Sequence, residues 1–391
     1  MKKIAVVLLS LLMLALVCVP AGAAAATPAD SAHLHVKEDG SFRVLNFSDI
    51  QDDMLLSNLT ARFIEHSIEQ YKPDLIVLTG DNIAGYRCLT KSSSEKAIRA
   101  FMEVFERMGV PVALVFGNHD DEGQALSKAE QMKIYRDYSV TIAFDEAEYF
   151  DADLSGVGTY YVPVYESAAS NKVKFVLWMF DSGSDDAVED ADNYDHVHND
   201  QISWFKTESA RLNAAAGETV YGLAFQHIIV NEVYAAFAEA SARESGAVPY
   251  LGKWYKLPSN AIAGSYLGEA PCPSYGNEGQ FGAMKDSGSV LATVCGHDHA
   301  NSFVIPYEGV DIVCTPTCGF CSYGDKATRG ARVIDLNANK PAEYETFTFL
   351  FTDIEKDNVL INLEYGFVAF WKQVYLLLNN LMVLIRETLS L

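Results

Sequence analysis

Five short polar blocks each follow an apolar run, and each carries side chains able to bind a divalent cation. Ser48-Asp49-Ile50-Gln51 follows Phe42–Phe47, Thr79-Gly80-Asp81-Asn82 follows Leu75–Leu78, and Gly117-Asn118-His119-Asp120 follows Val112–Phe116. Further on, Gln226-His227 follows Tyr221–Phe225, and Gly296-His297-Asp298-His299 follows Leu291–Cys295. Open α/β sheets gather ligands at the C-terminal ends of their strands. A single aspartate there is ordinarily a cap or a turn residue; five blocks in succession are not explained that way. Imidazole, carboxylate and amide donors in one set suit Mn, Fe or Zn better than Cu(I) or Ca²⁺.

Those blocks need strands and helices to hold them. Leu55–Gln70 has helical spacing, with Leu59, Phe63, Ile64 and Ile68 on one face, and a second helix is expected over Ser94–Met108, bounded by Gly109 and Pro111. With the first three strands they make two right-handed βαβ crossovers, and near-continuous apolar strands imply cover on both faces. The middle reads as strands Thr159–Val164 and Val173–Phe180, a helix Gln201–Asn213 and a strand Val220–Phe225. Residues 241–288, rich in Gly, Pro, Ser, Asn and Tyr, read as a long surface excursion. Strands resume at Val290–Val294, Ser302–Pro306, Val310–Cys314, Ala331–Ile334 and Glu343–Leu350. No repeat and no linker breaks the run, so one domain over 27–351 is expected.

The 391 residues carry 29 Lys+Arg against 52 Asp+Glu, a formal charge of −23. So acidic a chain repels polyanions, which argues against nucleic acid as a main partner. Lys2 and Lys3, the apolar run Ile4–Val19 and Ala21-Gly22-Ala23 have the three parts of a secretory signal peptide over 1–26, so export is expected, secreted or held at the cell envelope. At the other end, 352–391 is an apolar helical tail; Phe367–Ile385, broken by Lys372, Gln373, Asn379 and Asn380, is borderline for a span and leaves docking, interfacial (peripheral membrane) contact and crossing open. Past the leader six cysteines remain, and Cys314, Cys318 and Cys321 have the spacing of a three-thiolate iron–sulfur site, a reading weakened by export and by their late position.

The five blocks resemble the calcineurin-like metallophosphoesterase superfamily, whose pattern runs D-x-H, G-D, G-N-H-[DE], H, G-H-x-H. The likeness spans about residues 43–336 and is strongest to the small purple-acid-phosphatase-like branch, supported by Phe180-Asp181-Ser182-Gly183, Gln201-Ile202-Ser203-Trp204-Phe205 and Asn277-Glu278-Gly279-Gln280-Phe281. It implies an α/β fold of two mixed β-sheets packed face to face and flanked by helices. It also implies two divalent or mixed-valence ions (Mn, Fe or Zn), the first on Asp49, Gln51, Asp81 and His299. The second would take Asp81, Asn118, His227 and His297, with Asp81 as the bridge. His119 would stabilise and protonate beside the phosphate, oriented by Asp120. The activity implied is hydrolysis of a small phosphorylated substrate, chiefly a monoester, by metal-bound hydroxide. Cyclic-nucleotide or other diester hydrolysis and a non-catalytic surface binding protein on the same fold are the alternatives.

Two positions depart from the pattern. Gln51 replaces the commoner histidine with a neutral, weaker donor, which implies looser binding at the first site. Ala84 stands where purple acid phosphatases carry a tyrosine, so no purple charge-transfer band is expected. Asp181 and Asn301 are substrate-pocket candidates, each with a structural turn as the competing reading. His196 and His198, in the acidic run Asp195–Asp200, read as solvated.

Overall fold

The computed structural model describes residues 33–123, 125–142, 153–184, 194–355, 359–371 and 374. The expected leader and the far end of the apolar tail lie outside the described residues.

Three apolar runs form β1 (Ser41–Phe47), β2 (Leu75–Thr79) and β3 (Val112–Val115), paired in parallel in that order. The crossover helices are Asn58–Tyr71 and Lys91–Met108, each starting where a hydroxyl caps it, Ser57 and Thr90. Gly109, at φ 67°, ends the second. The chain then builds β4 (Tyr160–Tyr165), β5 (Val173–Met179) and, after the helix Asn199–Ala216, β6 (Tyr221–Phe225). The expected surface excursion proves more ordered: β7 (Ala238–Ala240), β8 (Val248–Tyr250) and β9 (Lys253–Lys256) pair in a small sheet. β10 (Tyr266–Leu267) and a helix Gln280–Ser287, which buries Phe281 and Met284, follow. β11 (Val290–Cys295), β12 (Asn301–Tyr307) and β13 (Val310–Cys314) complete the second sheet, and β14 (Gly330–Asn337) and β15 (Tyr344–Leu350) return to the first.

The first sheet runs β15-β14-β1-β2-β3 and the second β10-β12-β13-β11-β6-β5-β4, each mixing parallel and antiparallel pairs. Their packing follows from the two-residue period of a strand. On β5, Phe175, Leu177 and Met179 share one apolar core with Phe42 and Val44 of β1. The alternate residues Val176 and Trp178 join Ile202, Phe205 and Met284 on the outer side. Phe63 and Phe105 cover Phe47 from the opposite side of the first sheet, with ring centroids 6.3 and 6.1 Å away. The architecture is therefore α/β, two mixed sheets face to face with helices outside.

Residues 359–371 are helical. Ile361, Tyr365 and Val368 of this helix pack on the core, and Arg62 pairs with Glu355 at 2.6 Å and Glu364 at 3.6 Å. Its other side exposes Val359, Leu360, Leu363, Phe367, Phe370 and Trp371. No helix among the described residues is long and apolar enough to cross a membrane. Cys314 and Cys318 are fully buried and burial pushes their thiols well up, the setting of small apolar side chains in a core.

Asp181 corrects another expectation. Its carboxylate is buried; it receives the Lys128 ammonium at 3.1 Å and the Val157 and Gly183 amides at 2.6 and 2.9 Å, so it builds a turn and does not face a pocket. Lys128 is equally buried, on the helix Lys128–Tyr135. Removing one partner of a buried pair strands the other charge, at a cost of about 3–5 kcal/mol. Lys128→Met should lose that much in urea unfolding, and Asp181→Asn added to it should restore part; a Lys128→Met midpoint equal to the parent's contradicts the pairing.

Candidate metal centre

The ends of β1, β2 and β3 and those of β6 and β11 meet along one rim. Asp49 N donates to Gly80 O (3.1 Å), Gln51 N to Asp81 O (2.9 Å), Gly296 N to His227 O (3.2 Å) and Cys318 N to Ser48 O (2.9 Å). Four ligand candidates lie in the left-handed backbone region without being glycine: Asp49 (φ 52°), Gln51 (41°), Asp81 (49°) and His297 (73°). Such conformations cost of order 1–3 kcal/mol each and persist only where surroundings impose them. Gly319 shows how closely they are held, since a Cβ there would stand 1.6 Å from the Ile50 carbonyl oxygen.

Around His227 Nε2 lie Asp81 Oδ1 at 3.3 Å, Asn118 Oδ1 at 3.1 Å and His297 Nδ1 at 3.2 Å. The other ring nitrogen of His227 donates to Thr79 O at 2.9 Å, which leaves Nε2 as the ligating atom. A second set adjoins it. His299 Nε2 is 3.3 Å from Asp49 Oδ1, with its Nδ1 donating to Tyr323 O at 3.0 Å, and Asp49, Asp81 and His299 offer ligand atoms within 4.8 Å of one another. Gln51 reaches Asp81 Oδ2 at 3.1 Å through its amide nitrogen, so ligation through its oxygen requires the amide to turn over.

The electrostatics are those of a cation site. Burial works against the Asp81 carboxylate, yet His227 and His119 hold it well below the usual range. Burial likewise opposes charge on His227, but Asp81 outweighs it and raises the imidazole to about 10. His297 goes the other way, to about 3, through burial and the neighbouring His227 charge. Asp49 Oδ1 is fully buried with no hydrogen-bond partner among the described residues, an expensive state for a carboxylate oxygen unless a cation faces it. The residues present fit divalent ions.

His119 occupies the more open side of the rim, its side chain one-third exposed (32%) while those of Asp49, Asp81, His227 and His299 are at most 2% exposed. Its amide donates to Asp81 Oδ1 at 2.8 Å and Tyr86 packs edge-on against its ring at 5.2 Å. Asp120 does not orient it. The Asp120 carboxylate is buried beneath the turn, accepting from Gly117 N at 2.7 Å and Ile83 N at 3.0 Å, and burial together with Asp81 raises it to about 7. The partner of His119 Nδ1 is Glu122, at 2.5 Å, three residues on rather than one. Burial lowers the charged form of His119, but Asp81 and Glu122 prevail and lift it to about 9.

Asn301 also serves structure: its Oδ1 accepts from Gly268 N and Glu269 N at 2.9 and 3.1 Å, tying down the loop beside the histidines. Asp298, between the two rim histidines, is fully buried and burial pushes its carboxyl well up. The carbonyls of Thr79 and Tyr323 that orient the ligands leave no trace in sequence, because any residue supplies one. His196 and His198 are not simply solvated; both are half-buried and turn toward Glu278.

Residues 42–301 match the calcineurin-like phosphoesterase family. Probable inactive purple acid phosphatase 28 of Arabidopsis thaliana is 29% identical over 338 residues, 78% of this chain and 78% of that protein. Phosphatase DCR2 of Saccharomyces cerevisiae is 27% identical over 251 residues, covering 63% of this chain and 39% of its own length. Among solved structures, a dimetal phosphatase from Danio rerio superimposes with a TM-score of 0.48 at 13% identity, over 79% of this chain and 99% of that one. The match over most of the two-sheet domain, joined to the rim of histidines and carboxylates around Asp81, identifies the chain as a member of the calcineurin-like phosphoesterase family.

Proposed function

We propose that the protein is an exported hydrolase of phosphate esters, monoesters above all, working with two divalent ions. The observation that carries this reading is the position of Asp81, whose Oδ1 faces His227 while its Oδ2 faces Gln51, beside Asp49 and His299. Asp49, Gln51, Asp81 and His299 would hold one ion and Asp81, Asn118, His227 and His297 the other. Such a pair supplies a water acidified toward neutral pH and positive charge for the phosphoryl oxygens. The chain contributes the rest. His119, exposed to the approaching substrate and paired through Nδ1 with Glu122, can give its Nε2 proton to the leaving oxygen, while Glu122 fixes the ring and favours its charged form. The donor set favours Mn, Fe or Zn, and the neutral Gln51 tilts the first site toward Mn or Fe.

A second reading, a binding protein that no longer turns over, is favoured by the Gln51 amide nitrogen on Asp81 and by relatives named probable inactive phosphatases. The two separate on one assay, a chromogenic monoester beside a chromogenic diester with Mn, Fe or Zn restored. Catalysis predicts turnover, faster on the monoester. Asp81→Asn should abolish it together with metal uptake at the Asp81 centre, and His119→Ala should lower kcat about 10²–10⁴-fold with metal content intact. No turnover with full metal loading favours the binding protein.

Glu122→Gln should cut kcat by about 10–100-fold at unchanged KM and melting temperature; a change in KM alone would show that Glu122 touches substrate and does not orient His119. Gln51→His should tighten uptake of the first ion in a metal titration, and identical isotherms would exclude Gln51 from that ion's coordination.

A further inference from the structure

A second cluster lies away from the Asp81 centre, where the segment 194–198 meets the turn before the helix Gln280–Ser287. We propose that His196, His198 and Glu278 form a separate site for one divalent transition ion of the Zn²⁺ type. Their ligand atoms fall within 4.8 Å of one another. His196 Nε2 is 3.7 Å and His198 Nδ1 is 3.9 Å from the same oxygen, Glu278 Oε1. Those separations are too long for hydrogen bonds and slightly wider than the roughly 3.3–3.5 Å edge of a tetrahedron with metal–ligand bonds near 2.1 Å.

The second polar atoms of His198 and Glu278 are occupied in ways that leave His198 Nδ1 and Glu278 Oε1 free to ligate. His198 Nε2 faces Asp195 Oδ1 at 3.0 Å, which makes Nε2 the protonated nitrogen and turns the Nδ1 lone pair inward. Glu278 Oε2 accepts from Asn199 N at the start of the helix Asn199–Ala216, so Oε1 is the free oxygen. His196 and His198, two apart in extended chain, lie on one side, with ring centroids 4.7 Å apart. Space is kept for the first ring by Gly276, where a Cβ would stand 2.3 Å from His196 Nδ1. That nitrogen is buried without a hydrogen-bond partner among the described residues. A cavity of about 20 Å³, lined by His196, Gly276 and Glu278 but not by His198, adjoins the cluster and has room for one water.

The ion would fasten two loops bordering the family site. Tyr194 packs edge-on against His297 at 4.5 Å, and its carbonyl accepts from Ser274 Oγ at 2.6 Å. Tying His196 to Glu278 therefore holds Tyr194 over a rim histidine from both sides.

Full-length protein stripped by chelator and titrated with Zn²⁺ tests this by calorimetry and elemental analysis. Wild type should take up one equivalent more than His196→Ala/His198→Ala, and one equivalent should survive in Asp81→Asn. Equal stoichiometry in wild type and the double variant would overturn the site. Should the double variant fail to fold, Glu278→Gln keeps an oxygen for Asn199 N but removes the charge. It should weaken the Zn²⁺ equivalent that persists in Asp81→Asn by tenfold or more, and an unchanged isotherm refutes the proposal. Neither readout requires turnover.

Discussion

A carboxylate buried as completely as Asp81 must find compensating charge before a chain can close over it. Here the compensation comes from imidazoles delivered by strands of both sheets, so the face-to-face packing and the charge balance are one problem. His227 follows β6 of the second sheet and His119 follows β3 of the first. Remove the sheet-to-sheet core and the charges separate; remove the charges and the core must cover an orphan anion. The centre is thus held by apolar packing on one side and by its own electrostatics on the other.

Placement of the ligands rests on backbone as much as on side chains. The four left-handed residues at the rim turn the chain sharply at the strand ends, and hydrogen bonds tie each to a neighbouring block: Asp49 N to Gly80 O, Gln51 N to Asp81 O and His297 N to Asp49 Oδ2. A regular exit from β1 or β2 would send Asp49 and Asp81 along the strand direction instead of back across the rim. This strain is local, and it sits where the residue types able to bind metal are concentrated.

Much of this was legible in the sequence, for physical reasons that also mark where reading stops. The strands of the two sheets are short apolar runs because both faces are covered, and the ligand blocks announce themselves by following those runs. The helix Gln280–Ser287 was hidden because only Phe281 and Met284 give it an apolar side amid glycines and polar residues. The family resemblance implies Asp120 as the residue that orients His119, yet the turn points Asp120 inward and brings Glu122 to the ring. Asp181 and Asn301 look like site residues because they lie next to strand ends, and only coordinates reveal that backbone amides and Lys128 take up their oxygens. His196 and His198 lie far in sequence from Glu278, so no spacing rule joins them.

The last described helix is linked to the Asp81 rim through one aromatic ring. Phe320 meets Tyr365 at 6.1 Å and Phe351 at 4.8 Å, and its neighbour Gly319 donates its amide to Asp49 O at 3.2 Å. Detaching the helix, by truncation or by detergent, would unload the same turn that aims Asp49. The helix 359–371 thus braces the rim that carries Asp49, and trimming it for solubility would disturb the part of the molecule such trimming is meant to spare.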